Sequence, residues 1–140
     1  MSTAVDTNVI IGLWNPDDAL NKQADAALER AARKGGLLIS APVFVELLAF
    51  PGRTESFVDS FCRETGIVVD WVLEEPIWRS AGHAFQAYAR RRVGHTGSAP
   101  RRLLSDFLIG AHALHRGCPL LTFDDRLYRA AFPQLDILTA

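Results

Sequence analysis

A chain of 140 residues has the length of one compact domain and can bury a substantial core. Hydrophobic residues make up 49% and charged residues 22%, the balance of an ordinary globular protein. The net charge of −1 argues on its sum against a nucleic-acid partner, but the distribution of charge decides more than the sum. No apolar run approaches the ~18 residues of a membrane helix; the richest stretch, Leu37 to Phe50, is broken by Pro42 and Glu46. Asp6 interrupts the N-terminal segment and no basic start precedes it, so a signal peptide is not expected. Cys62 and Cys118 form no CxxC pair, which argues against a zinc knuckle or a disulfide framework and for reduced core thiols. These features together predict a cytoplasmic protein without a membrane partner.

In chain order, Thr3-Ala4-Val5-Asp6 is a short apolar strand ending on a carboxylate, and a helix begins near Asn8 and reaches Trp14. Asn15-Pro16-Asp17-Asp18 is turn and N-cap chemistry, opening a helix to about Lys34 that Gly35-Gly36 stops. Leu37 to Ser40 reads as a second buried strand, and Pro42 fits the first turn of a helix through Phe50. Pro51-Gly52 breaks that helix, and Thr54 caps the next, with Phe57, Val58, Phe61 and Cys62 on one face. Ile67 to Val69 is a third strand ending near Asp70, and Glu74-Glu75-Pro76 opens a long helix to about Arg92. A glycine-bearing loop spans Gly94 to Pro100. A helix from Ser105 to Arg116 ends at Gly117, a fourth strand runs from Pro119 to Thr122, and a short helix covers Arg126 to Ala131. Asp136 to Leu138 offers a fifth strand. There are no internal repeats. Short apolar strands alternating with helices predict an α/β fold, one domain over residues 1–140, with a central parallel sheet of four to five strands and helices on both faces. Strand C-termini then share one edge, where such folds carry their sites.

The acids fall at that edge. Asp6 ends the first strand, Glu46 lies one turn into the helix after the second, Asp106 opens the helix before the fourth, and Asp124 follows the fourth. Their neighbours are apolar, and carboxylates in such settings need a partner. Two at ~5 Å with an effective dielectric of ~20 repel by roughly 3 kcal/mol. No Lys or Arg lies close in sequence to Asp6 or Glu46, and a divalent cation would relieve the repulsion. All-oxygen ligation selects a hard ion such as Mg²⁺ or Mn²⁺, which can activate a water and stabilise a leaving oxygen. Each acid taken singly also has a plainer reading. Asp6 could be only a helix N-cap, Asp106 could only complement a helix dipole, and Asp124 and Asp125 could be turn residues. Glu46, set between Val45 and Leu47, is the hardest to read that way. The evidence for a site is their joint placement.

Val5-Asp6-Thr7-Asn8-Val9-Ile10, Pro42-Val43-Phe44-Val45-Glu46-Leu47-Leu48, Asp106-Phe107-Leu108-Ile109-Gly110-Ala111-His112-Ala113 and Leu121-Thr122-Phe123-Asp124 resemble, in order and approximate spacing, the PIN-domain ribonucleases across nearly the whole chain. The VapC-type toxins of bacterial toxin–antitoxin pairs are the subgroup it resembles. That resemblance implies a Mg²⁺- or Mn²⁺-dependent endoribonuclease, usually a homodimer, held inactive by a cognate antitoxin protein. It carries the metal-holding and catalytic roles to Asp6, Glu46, Asp106 and Asp124. Asn8 and Thr122 become small polar helpers that orient carboxylates or water, although turn-forming Asn and strand-end Thr would look the same. Asp125 reads as a spare acid beside Asp124.

Of the fifteen bases, thirteen are Arg, the better fork for phosphate oxygens. With the four site acids neutralised, the remaining acids are outnumbered by bases. Arg90, Arg91, Arg92, His95, Arg101 and Arg102 lie around the glycine-bearing loop; Arg101 and Arg102 adjoin the site segment and are the first candidates to grip RNA phosphates. A solvated helix end with cations at its C-terminal dipole is the other reading. His112 and His115 lack the HExxH or Cys partners of a zinc site and read as core or surface histidines. Gly110, Ala111 and Ala113 would let their helix approach the sheet, and Trp14, Trp71 and Trp78 read as core or interface residues. A phosphoacceptor receiver domain would need a Lys after its last strand, which Lys22 and Lys34 cannot supply. Neither GxGxxG nor GxxxxGK[ST] is present, which argues against nucleotide-binding enzymes. A PIN-like module that binds metal or RNA without cutting is the remaining rival.

Overall fold

Five short strands pair side by side in one sheet, and every pairing is parallel. They are β1 (Thr3–Val5), β2 (Leu37–Ser40), β3 (Ile67–Asp70), β4 (Leu120–Thr122) and β5 (Ile137–Thr139), in the spatial order β3-β2-β1-β4-β5. The computed structural model describes residues 1–92 and 104–140. The register sets Ala4 beside both Leu38 and Leu120, so β1 is central. Thr3, Ala4 and Val5 are all buried, as are Leu120, Leu121 and Thr122. Successive strand residues point to opposite faces, so burial of every residue means that both faces are covered.

The covering helices are α1 (Thr7–Trp14), α2 (Asn21–Lys34), α3 (Ala41–Leu48), α4 (Glu55–Thr65), α5 (Glu75–Arg92), α6 (Leu104–Arg116) and α7 (Asp125–Ala131). One continuous core joins strand residues such as Val5, Ile39 and Leu120 to Val9, Leu47, Ile77 and Phe107 on the helices. Thr54 caps α4 as expected, its hydroxyl accepting from Phe57 N at 3.0 Å. Both cysteines are free thiols, Cys62 buried and Cys118 half-buried. Among the described residues no helix is long and apolar enough to cross a membrane.

Four sequence expectations need correction. The second helix starts at Asn21, not next to Pro16, because Asx side chains satisfy the intervening backbone locally. Asn15 Oδ1 accepts from Asp17 N at 3.1 Å and Asp18 Oδ1 from Leu20 N at 2.8 Å, while Asn21 Nδ2 donates back to Gly12 O and Leu13 O at the end of α1. The third helix ends at Leu48, short of Phe50, as the chain turns into Pro51-Gly52. Gly110 serves a helix-to-helix contact, since a Cβ there would strike the Phe132 ring and lie 3.1 Å from Tyr128 Cδ1. Trp14 packs edge-on against Phe50, Phe57 and Phe61 as a core residue would, whereas Trp71 and Trp78 are 59% and 49% exposed and are not core.

His112 is a core histidine, 1% exposed, with Nε2 2.9 Å from Asp70 Oδ2. Burial, which holds its pKa below the ordinary value, outweighs the Asp70 contact, so the neutral ring donates Nε2–H to a carboxylate. Arg116 donates to the same Asp70 oxygen at 2.7 Å and to Glu74 at 2.8 Å, tying the end of α6 to the end of β3. Burial would raise the Asp70 pKa, but the hydrogen bonds from Arg116 and His112 overcome it and hold the carboxyl at about 2.

Candidate active site

In an open parallel sheet, ligands bind beyond the strand C-termini where the strand order reverses direction. Here β2 lies on one side of β1 and β4 on the other, so the reversal falls between β1 and β4. Asp6 leaves the end of β1 and Thr122 ends β4, so both stand at that crevice.

Asp6 is 5% exposed. Its extended backbone places it as the N-cap of α1, with Oδ1 accepting from Thr7 N at 2.8 Å. The capping reading therefore holds, and it leaves the second oxygen for other work. Oδ2 accepts from the Thr122 hydroxyl at 2.8 Å. Burial lifts the Asp6 pKa from 3.8 to about 6, against the opposing pull of the Thr122, Thr7 and Tyr128 hydrogen bonds, and the charge of Asp106 raises it further. The lift comes chiefly from burial of the charge.

Thr122 is fully buried and ties three segments together: while donating to Asp6, its oxygen accepts from Asp124 N at 2.9 Å. Asn8 accepts from Phe123 N at 3.2 Å and approaches the Thr122 hydroxyl at 3.5 Å. Among the described residues Asn8 therefore braces Thr122, through which it reaches Asp6. Glu46 projects from the second turn of α3, half-buried, with Oε1 accepting from the Thr7 hydroxyl at 2.6 Å and Oε2 from the Ser105 hydroxyl at 3.1 Å. Asp106 sits in the first turn of α6, and Asp124 is the residue preceding α7, where its side chain makes no capping bond. Asp125 pairs with Arg129 one turn on, at 3.3 Å on the surface, which is a structural role.

Three contributors were not legible beforehand. Thr7 joins Asp6 through its N–H and Glu46 through its hydroxyl, and Ser105 holds the other Glu46 oxygen. Tyr128 is 1% exposed, its buried hydroxyl lies close enough to Asp6 to favour that carboxylate's charged form, and the charges of Asp6, Asp106 and Glu46 all act on it. The sequence signals were adjacency for Thr7 and Ser105, and an i,i+4 step from Asp124 for Tyr128. Arg101, Arg102 and His95 lie outside the described residues. Arg90 and Arg91 are exposed at the end of α5, and Arg92 lies over the Tyr88 ring, 5.7 Å from its centroid.

The PIN domain family model matches residues 3–133. This chain belongs to the PIN domain family. Among solved structures, the PIN domain here is similar to VapBC2 from Rickettsia felis bound to a promoter DNA fragment, with a TM-score of 0.70, 19% identity, and coverage of 99% of this chain and 98% of that one. It is similar to VapBC-1 from nontypeable Haemophilus influenzae, with a TM-score of 0.67, 21% identity and coverage of 99% and 98%. Mycobacterium tuberculosis VapC20, described as a sarcin-ricin loop cleaving toxin, gives a TM-score of 0.53, 19% identity and coverage of 86% and 87%. At these identities the likeness is one of fold. Comparison with curated proteins finds no match.

The donor set of this PIN domain fits a hard divalent cation in its chemistry. The buried Asp6 carries an uncompensated charge, Asp106 and Glu46 act on the same buried hydroxyl, and the ligating atoms are carboxylate oxygens. As placed, the described residues include no group of three acid, His or Cys side chains ready to hold one ion. Glu46 is drawn to Thr7 and Ser105 instead.

Proposed function

We propose that this PIN domain is a metal-dependent endoribonuclease, the toxin of a bacterial toxin–antitoxin pair, acting in the cytoplasm. The observation that carries this reading is Asp6: a carboxylate buried at the β1/β4 crevice, with a pKa raised to about 6, on which the charge of Asp106 from α6 also acts. A protein gains nothing in stability from such a charge, and a cation would neutralise it. The solved structures of similar fold, which include VapBC assemblies and a toxin described as cleaving the sarcin-ricin loop, support RNA as substrate and an antitoxin as partner.

When bound, Mg²⁺ or Mn²⁺ supplies a Lewis acid that acidifies water and stabilises a leaving oxygen of the phosphodiester. Asp6, Glu46, Asp106 and Asp124 would hold it. Thr122 and Thr7 fix the orientation of Asp6, and Asn8 fixes Thr122. Arg101 and Arg102, outside the described residues, grip RNA phosphates, and the functional unit is a homodimer. The antitoxin inhibits by placing an Arg or Lys among the four acids, where it replaces the cation's charge.

Cleavage of a structured RNA in Mg²⁺, Mn²⁺ or EDTA tests the reading. Metal-dependent cleavage is expected, abolished by Asp6→Asn, Glu46→Gln or Asp106→Asn while the circular dichroism spectrum is kept. Full activity from Asp6→Asn overturns the mechanism. Metal and RNA binding without any cleavage assigns the chain to the non-cutting binding modules.

A further inference from the structure

We propose that Arg53 is a preformed phosphate-binding residue for RNA, its guanidinium held among three aromatic rings at one end of a seam whose other end carries Asp6 and Glu46. The proposal rests on the RNA-substrate reading above, but not on a bound metal, and names a contact that the four acids cannot make.

The local sequence places the residue. Beyond α3 the chain turns at Pro51-Gly52, and Gly52 takes φ +80, a left-handed conformation that favours glycine. Arg53 N donates to Phe50 O at 3.2 Å, and Thr54 then caps α4. From guanidinium carbon to ring centroid, Arg53 lies 4.5 Å from Phe57 on α4, 5.2 Å from Trp14 at the end of α1 and 5.6 Å from Phe50. The rings brace one another, Trp14 meeting Phe50 at 6.0 Å and Phe57 at 5.3 Å, both edge-on. Attraction between the cation and these rings restrains a long side chain before any ligand arrives, so less freedom remains to be lost on binding.

The seam connects this cage to the acids. The register Ala4↔Leu38 sets Asp6 level with Ser40, the residues from which α1 and α3 start. Near those starts the Thr7 hydroxyl meets Glu46 at 2.6 Å, and at the far ends Trp14 meets Phe50, so the two helices run alongside each other. Phe50 follows Glu46 by four residues, about 6 Å at the helical rise per residue. Val45 and Ala49 are exposed, so this stretch of chain borders solvent.

Arg53 lacks an anion. Among the described residues no carboxylate lies within ion-pair distance of it, whereas Arg33, Arg79, Arg116 and Arg129 each have one. Of its five N–H donors, one reaches Trp14 O at a long 3.4 Å, and Nε, like the neighbouring Trp14 Nε1, is closed off from solvent without a partner. Phosphate oxygens match the planar guanidinium fork in both shape and charge. A strand that approaches Asp6 and Glu46 meets repulsion from those carboxylates, and a fixed cation on the same seam offsets it.

The parent, Arg53→Gln and Arg53→Lys are titrated with fluorescein-labelled oligouridylate in EDTA over a series of NaCl concentrations, and the NMR signal of the Arg53 Nε–H is followed in the parent. Arg53→Gln is expected to weaken binding and to flatten the slope of log affinity against log salt by about 0.7, the share of one single-strand phosphate. Arg53→Lys should keep the slope, and oligouridylate should shift the Nε–H signal. Unchanged affinity and slope in Arg53→Gln overturn the proposal, as does weaker binding at the parent's slope, which marks a packing role. Should Arg53→Gln fail to fold, the parent's Nε–H signal decides, and no shift at saturating RNA overturns the contact. A signal that moves with polyglutamate and not with RNA assigns the cage to an acidic protein partner and also overturns it. RNA binding through Arg53 without metal-dependent cleavage leaves this contact standing in a non-cutting module, whereas a parent that binds no RNA removes the substrate reading and the proposal with it.

Discussion

Asp6→Asn should stabilise the metal-free protein, and the gain should depend on pH in a defined direction. Folding raises the Asp6 pKa from 3.8 to about 6. Below the unfolded value both states are protonated and the shift has no effect. Between the two values the unfolded chain has lost the proton and the folded one has not, so the parent loses stability as pH rises. Above about 6 the loss is complete, and two pKa units at 1.36 kcal/mol each make it about 3 kcal/mol. Asn carries no such penalty. It keeps an oxygen for Thr7 N but presents an amide towards the Thr122 hydroxyl, which already accepts from Asp124 N and must turn to a new partner. That rearrangement costs about 1 kcal/mol. The net gain is then about 1–2 kcal/mol at pH 7.5, or roughly 3–7 °C in melting temperature for a domain of this size. Urea unfolding in EDTA at intervals from pH 4 to pH 8 reads it directly. The variant's advantage should grow through the interval between the two pKa values and then level off; an advantage that is flat with pH, or a loss at pH 7.5, would refute the claim that Asp6 is a buried, uncompensated anion.

Two further predictions concern the frame around the site. Gly110→Ala should destabilise the domain by about 1–3 kcal/mol in urea unfolding, although Ala is the better helix former, because the added Cβ strikes the Phe132 ring; a stabilised variant would mean that α7 shifts freely. Asp70→Asn should cost about 1–2 kcal/mol at pH 7, allowing for the partial exposure of the group. Because folding depresses the Asp70 pKa to about 2, the stability it confers is present above pH ~4 and disappears as pH falls through 2, so parent and variant should converge in acid; a difference that persists undiminished at pH 2 would rule out the charged Asp70–Arg116 contact.

The sequence by itself determined the architecture and singled out the candidate acids. Short, largely apolar runs such as Thr3–Val5 and Leu120–Thr122, separated by amphipathic helices, are best satisfied by a parallel sheet covered on both faces, because local periodicity reports what each element must bury. Asp6 and Asp124 stood out for the same reason, as charges placed at the ends of such runs. Contacts between segments distant in the chain leave no periodic trace, and the tertiary structure alone decided those. Nothing local to Thr7 or Ser105 announces that both hydroxyls hold Glu46, 39 and 59 residues away. Asn15 to Asp18 carried helix-starting chemistry, yet their side chains close turns instead, since an Asx oxygen two residues from an N–H competes directly with the helix. Gly110 read as a gap for the sheet until α7 was seen to fill it, and nothing along the chain singled out Tyr128. Its hydroxyl acquires meaning only from the three acids that folding brings around it, because an electrostatic field belongs to positions in space and not to positions along a chain.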